Sequence, residues 1–452
     1  MSFRQDPGER APELGGPPLS GEGDRDKQGT FEGPADGART LQGAFAALSV
    51  PNFRLFWFSQ LISLTGTWIQ VVGQAWLVLN LTNSPLALGT VTTLQFLPIL
   101  LLTLVAGVVA DRVPKRRFLV ATQSAAALQA LLLALLVSTG LVRLWHVYVL
   151  ALALGVNNAF DNPTRQAFVP EMVGKDLLRN AIPLNSTLFN SARIVGPAIG
   201  GLTIAILGVG GTFFLNAASF VPVIGALLLM RSSQLFPTRK AEGRMLTQLR
   251  EGLDFAVGTP RVFLILLLLA FIGTFGYNFT VMLPLLARFV LHVQSVGFGI
   301  MTSVVGVGSV LAALSIAYTR SATEKQLLLG AAAFSLLLIL VGLSRWFGVT
   351  LVLLVLLGFA GIIFTATANT RLQLSAPDGL RGRVMSLYIL LFAGTTPIGS
   401  FLLGNVAERF GVQKAIVLFG ALSVLGVIVA LLYRATRKPT DQARPEAPPS
   451  AP

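Results

Sequence analysis

Apolar stretches about twenty residues long, separated by short polar turns, fill most of this chain. That length is what a helix needs to cross about 30 Å of hydrocarbon. Twelve stretches can be delimited. Six lie at 53–79, 86–110, 118–140, 146–165, 183–207 and 212–231, and six at 262–285, 296–318, 326–344, 348–369, 386–407 and 414–433. A strand of a membrane barrel needs only about ten residues, so the pattern predicts helices and excludes a barrel. The first and fifth stretches carry several polar residues, which suits helices facing a cavity rather than lipid. The prediction is an all-α polytopic membrane protein, with twelve transmembrane helices in two pseudo-symmetric six-helix bundles.

The bundles are expected at 49–231 and 261–434, joined by a cytoplasmic linker at 232–260. Within the linker, Leu246, Leu249, Leu253 and Val257 recur at near-helical spacing, with Arg244, Gln248, Arg250 and Glu251 on the other face. The segment reads either as an amphipathic helix on the membrane surface or as a solvated connector. Residues 1–48 and 435–452 are rich in Gly, Pro and polar residues and cannot bury a core, so disordered cytoplasmic tails are expected. The first 30 residues lack the apolar core of a signal peptide.

A repeat relates the two halves. LGVNNAFDNPTRQAFVPEMV followed by SARIVGPAIGG is echoed by LGFAGIIFTATANTRLQLSAPDGL followed by LFAGTTPIGS. Gly155 aligns with Gly358, Pro170 with Pro377 and Pro197 with Pro397. Two related six-helix halves are a transporter signature, with the substrate site between them near the midplane.

Composition narrows the chemistry. Hydrophobic residues make up 53% of the 452 and charged residues 12%, against about 25% charged in soluble domains. There is no cysteine, hence no disulfide and no thiolate nucleophile or ligand. The two histidines, His146 and His292, are far apart, and no metal or cofactor is expected. No G-x-x-x-x-G-K-[ST] motif is present, which excludes ATP hydrolysis by a P-loop. With both termini placed inside, 28 Lys and Arg fall on the inner side and 5 on the outer, namely Arg143, Arg288, Arg345, Arg409 and Lys414. The bias predicts an inner (plasma) membrane protein with both termini cytoplasmic. It assigns the net charge of +14 to the anionic inner leaflet rather than to nucleic acid.

Between the second and third stretches lies GVVADRVPKRR, with Gly107, Asp111, Arg112, Lys115, Arg116 and Arg117. Positive-inside charge accounts for the cations but not for the acid four residues after a glycine. Gly107 is expected to let a neighbouring helix approach, and Asp111 to cap a helix N-terminus or bind a cation. Residues 107–116 match G-x-x-x-D-R-x-x-[KR]-[KR], the signature loop of the major facilitator superfamily. PNFRLFWFSQLIS, FDNPTRQAFVPEMV, NSTLFNSARIVGPAIGG, FFLNAASF and RGRVMSLY extend the resemblance from about residue 50 to 411. They are similar to a bacterial branch of drug:proton antiporters that includes enterobactin exporters and macrolide-efflux proteins. The resemblance implies a monomeric rocker-switch exporter of a small amphipathic molecule, driven by protons. The eighth-to-ninth loop, AYTRSATEK, lacks the signature, so gating contacts are expected to be asymmetric. Asp111 is expected to hold the cytoplasmic gate against Val384–Ser386. An importer or facilitator of the same fold is the alternative, and a membrane-embedded enzyme or sensor a more distant one.

Gly196, Pro197, Gly200 and Gly201 in the fifth stretch resemble an antiporter element of the superfamily. The same residues read equally as close helix packing, with Pro197 able to kink the helix. Gln60, Trp68, Gln70, Gln74, Asn157, Asn158, Tyr277, Asn278 and Asn369 are candidate cavity residues, or else interhelical glue. Asp161 and Arg193 are the two charges deepest in the spans. A charge there costs about 2.5–3.5 kcal/mol on insertion scales, so it normally has a partner or a function. Asp161 can pair with Arg193, as a proton-coupling site, or with Arg165 one turn on, as a structural pair.

Overall fold

The structure, a computed structural model, describes residues 45–236, 253–319, 322–392 and 394–436. The side chains of Asp111 and Asp378 are outside the described residues, and so is most of the 232–260 linker, of which 253–258 are helical. Ten helical stretches are long and apolar enough to cross a membrane. One of them, Leu144–Leu229, has 86 residues and is interrupted at Gly174 (φ 72°) and Gly208 (φ 72°). Divided there, it gives three helices and the number becomes twelve. Glycine is required at both breaks, because a side chain at that φ is strained.

In chain order α1 is Pro51–Thr82, α2 Pro85–Arg112 and α3 Lys115–Ser138. Helices α4, α5 and α6 are 144–173, 175–207 and 209–229. Helix α7 is Pro260–Phe289, interrupted by a π-helical turn at Ile272–Gly276. Then follow α8 (Ser295–Thr319), α9 (Glu324–Leu343) and α10 (Phe347–Ser375). Helix α11 comes in two pieces, Asp378–Phe392 and Thr396–Phe410, and α12 is Val412–Ala435.

Local chemistry sets the ends. Pro51, Pro85 and Pro260 stand at helix starts, where their missing N–H costs nothing. Ser84 caps α2 by accepting from the Ala87 N–H at 3.1 Å. Asn83 (φ 51°) and Gly411 (φ 91°) turn the chain between α1 and α2 and between α11 and α12. Helix α5 runs through Pro197 with helical backbone angles, and its breaks lie at the two glycines instead.

Small residues bring helices together within each half. Added Cβ atoms on Gly200 and Gly330 would crowd α1 and α10 respectively. The halves join at two glycine crossings. A Cβ on Gly89 of α2 would lie 2.6 Å from the Ser400 carbonyl oxygen, and one on Gly404 of α11 would lie 2.7 Å from the Pro85 oxygen. The pseudo-symmetric crossing joins α5 and α8: a Cβ on Gly201 would sit 2.5 Å from the Ser295 oxygen, and one on Gly299 2.5 Å from the Pro197 oxygen. Both crossings lie toward the end of the bundle that carries Asn83 and Gly411, here called the charge-poor end. The other, bearing Lys115–Arg117, is the basic end.

Candidate functional site

Two adjoining cavities lie between the halves, sharing Trp68, Val71, Phe96 and Thr280 in their walls. Of the ten apolar helical stretches, those of α1 and α7 have the largest buried shares, 67% and 56%, so both are interior elements. The cavity of about 260 Å³ is polar and belongs mostly to the first half. Helix α1 contributes Gln60, Trp68, Gln70 and Gln74. Helix α4 contributes Asn157, Asn158, Asp161, Asn162 and Arg165, which helical spacing places on one face. The cavity of about 290 Å³ is lined by Arg193, Tyr277, Phe279, Phe298, Phe334 and Phe392, together with aliphatic residues, glycines and the hydroxyl residues Thr280, Thr302, Ser309 and Thr396.

In the polar cavity the side chains largely satisfy one another. Gln70 donates to Gln129 at 3.1 Å and accepts from Asn216 at 2.8 Å. Gln74 donates to Gln95 at 3.2 Å. Asp161 Oδ1 accepts from the Thr122 hydroxyl at 2.7 Å and from Gln123 Nε2 at 2.8 Å. Arg165 Nε lies 3.8 Å from Asp161 Oδ2, while its Nη2 donates to Asn162 at 2.7 Å. Its guanidinium also sits 4.9 Å above the Phe189 ring. These contacts leave Gln60 Oε1, Gln123 Oε1, Gln129 Nε2 and Arg165 Nε buried without a hydrogen-bond partner.

Several expectations need correction. The fourth stretch does not end at Arg165: α4 continues to 173, and the residue is 7% exposed. Of the two partners open to Asp161, Arg165 is the one beside it, and Arg193 stands in the other cavity. Asn278 and Asn369 line neither cavity. Asn278 is buried against α11, where it accepts from Ser400 at 3.3 Å and donates to the Thr274 carbonyl at 2.7 Å. Asn369 accepts from Gln373 at 2.6 Å on its own helix. At Gly107 no helix approaches: an added Cβ would meet nothing within 4 Å, since the closest joins between halves lie at the other end.

The glycine–proline element packs. Gly196 faces Thr65 and Trp68, and Gly200 faces Ile69 and Val72, all on α1. Pro197 and Gly201 face α8. In the signature loop Lys115 binds Glu171 at 2.7 Å. Arg116 donates to the Leu227 and Leu228 carbonyls and to the Ser232 hydroxyl, while Arg112 and Arg117 are exposed. Thr122, Gln123, Gln129 and Asn216 escaped the sequence reading. Their one signal was an amide or hydroxyl in an otherwise apolar stretch.

Residues 42–450 match the family described as Transmembrane secretion effector. The Staphyloferrin A transporter of Staphylococcus aureus is 26% identical over 388 residues, covering 85% of this chain and 96% of its own. The multidrug efflux pump Tap of Mycolicibacterium fortuitum is 29% identical over 395 residues, covering 84% of this chain and 95% of its own. The crystal structure of the nucleoside transporter NupG superposes with a TM-score of 0.69 at 13% identity, over 85% of this chain and all of that one, a likeness of fold alone. Two helical halves, a cavity pair between them and this family match identify the chain as a member of the transmembrane secretion effector family, within the major facilitator superfamily of membrane transporters.

Proposed function

We propose that the protein is a secondary active transporter of the bacterial plasma membrane, working by alternating access and exporting a small amphipathic molecule in exchange for protons. The carrying observation is the unequal closure of the cavity pair. Glycine crossings bring the halves into close contact at the charge-poor end, whereas at the basic end, among the described residues, added Cβ atoms on Gly107 of α2 and Gly382 of α11 would meet nothing within 4 Å. The basic end is cytoplasmic on the 28:5 charge bias. Cargo then enters from the cytoplasm, and the opposite state closes Gly107 toward Gly382, with Asp111 at that seam beside Val384–Ser386. The naming of one relative as an efflux pump supports the outward direction.

Asp161 is the proposed proton carrier. Its carboxylate is 4% exposed, lines the polar cavity and has Arg165 as an alternating counter-charge. The test is accumulation of a fluorescent amphiphile by cells with and without the protein, with a protonophore added. Export predicts lower accumulation in expressing cells and loss of the difference with protonophore. Higher accumulation in expressing cells would make the protein an importer. In proteoliposomes, Asp161→Asn should abolish pH-gradient-driven uptake while gradient-free exchange survives. Gradient-driven uptake at the wild-type rate would make Asp161 structural.

A further inference from the structure

Arg193 is the charge that the polar network does not use. It stands on α5, one turn before Pro197, in the wall of the aromatic cavity. Its Nε and Nη2 are shut off from solvent and have no hydrogen-bond partner. It forms no ion pair among the described residues, and no Asp or Glu lines that cavity. Arg165 Nε also lacks a hydrogen bond, but that residue has the Asp161 carboxylate at 3.8 Å, a bond to Asn162 and the Phe189 ring. Arg193 as a whole is partly buried, and guanidinium donors withdrawn from water in this way are retained only with a partner or a function.

A second polar atom shares the wall. The Tyr277 hydroxyl is buried and makes no well-aligned hydrogen bond, although Thr365 is close enough to interact with it. Its ring is held by Phe334 stacked at 4.9 Å, and by Phe392 and Phe279 edge-on at 4.8 and 5.6 Å. Gly361 makes room for it, since a Cβ there would lie 2.7 Å from the hydroxyl oxygen. A guanidinium and a phenol both donate, and the guanidinium cannot accept. The group that satisfies both is an acceptor carrying negative charge, and a planar carboxylate fits the guanidinium fork in two-point fashion. The rings around it ask for an aromatic or aliphatic body.

We infer that Arg193 and Tyr277 form an anion subsite, and that the cargo is an amphipathic carboxylate or similar oxyanion whose apolar body lies against Phe279, Phe298, Phe334 and Phe392. This rests on the transporter reading for the word cargo, while the subsite itself is testable by binding alone. The full chain would be placed in phosphatidylcholine nanodiscs. Thermal unfolding would be followed with millimolar 2-naphthylacetate, 4-phenylbutyrate and salicylate, each beside its neutral amide. At least one acid should stabilise the wild type at concentrations about tenfold lower than its amide does. Arg193→Gln should remove that preference, Arg193→Lys should keep part of it, and Arg288→Gln, at the charge-poor end, should keep all of it. A wild type that prefers no acid over its amide overturns the subsite, even if Arg193→Gln fails to fold. An unchanged preference in Arg193→Gln does the same. Transport is scored separately: acid preference without any flux in proteoliposomes would leave the subsite standing and remove the transporter reading.

Discussion

At Gly404 an added methyl group would press on the Pro85 carbonyl oxygen and the Gly89 Cα, whereas at Gly107 it would enter open space. Backbone atoms cannot swing aside, and overpacking of this kind costs about 1–3 kcal/mol. Gly404→Ala should therefore lower the thermal unfolding midpoint, and Gly107→Ala should leave it unchanged or raise it slightly. Equal midpoints for the two variants would mean that the α2–α11 crossing is looser than described. Asp161 offers a second contrast. Asp161→Ala leaves Arg165 buried without its acid, a change that costs about 3–5 kcal/mol in comparable pairs. Asp161→Asn keeps an oxygen for Thr122 and should cost less. If differential unfolding finds the alanine variant no weaker than the asparagine one, the ion pair does not hold α4 in place. The Arg165 pairing was legible beforehand because four residues on one helix is local geometry. The bonds from Thr122 and Gln123 were not, since they depend on which face of α3 turns toward α4.

Among the elements, the signature loop ties its own half together through two of its cations. Lys115 joins α3 to α4 through Glu171, and Arg116 caps the C-terminal carbonyls of α6. A cation there meets the negative end of the helix and its unpaired oxygens. Arg116→Ala should destabilise the protein by about 1 kcal/mol through the lost cap, while the exposed Arg117→Ala should be neutral. Thermal unfolding of the two variants side by side checks this, and equal effects would reduce the loop to surface charge. Helix number was readable because apolar length is a property of each segment alone. Helix ends were less so: α4 runs eight residues past the expected 165, carrying Pro163 and Pro170 within its length. That extension puts Arg165 within the helix rather than at its end, in the cavity wall.

For the molecule as a whole, the charge bias is the feature to test first, because cargo direction depends on it. Alkaline phosphatase fused after Pro452 should be inactive, and the same reporter inserted at Gly140, in the turn between α3 and α4, should be active. The reverse pattern would invert the two ends. The pseudo-symmetry read from Gly155/Gly358 and Pro197/Pro397 reappears in the paired crossings, yet the cavities do not share it. One wall sets amides, hydroxyls and an ion pair among apolar side chains, and the other sets Arg193 and a few hydroxyls among rings and aliphatic chains, with Trp68 and Phe96 common to both. To a dissolved molecule such a space acts less as a mould than as a boundary between two solvents. Retention at a boundary rises with how cleanly a molecule segregates its wet and oily faces, not with its overall oil–water partition coefficient. Competitors matched for partition coefficient should rank by that segregation, and a ranking by partition coefficient alone would show that cargo uses only one wall.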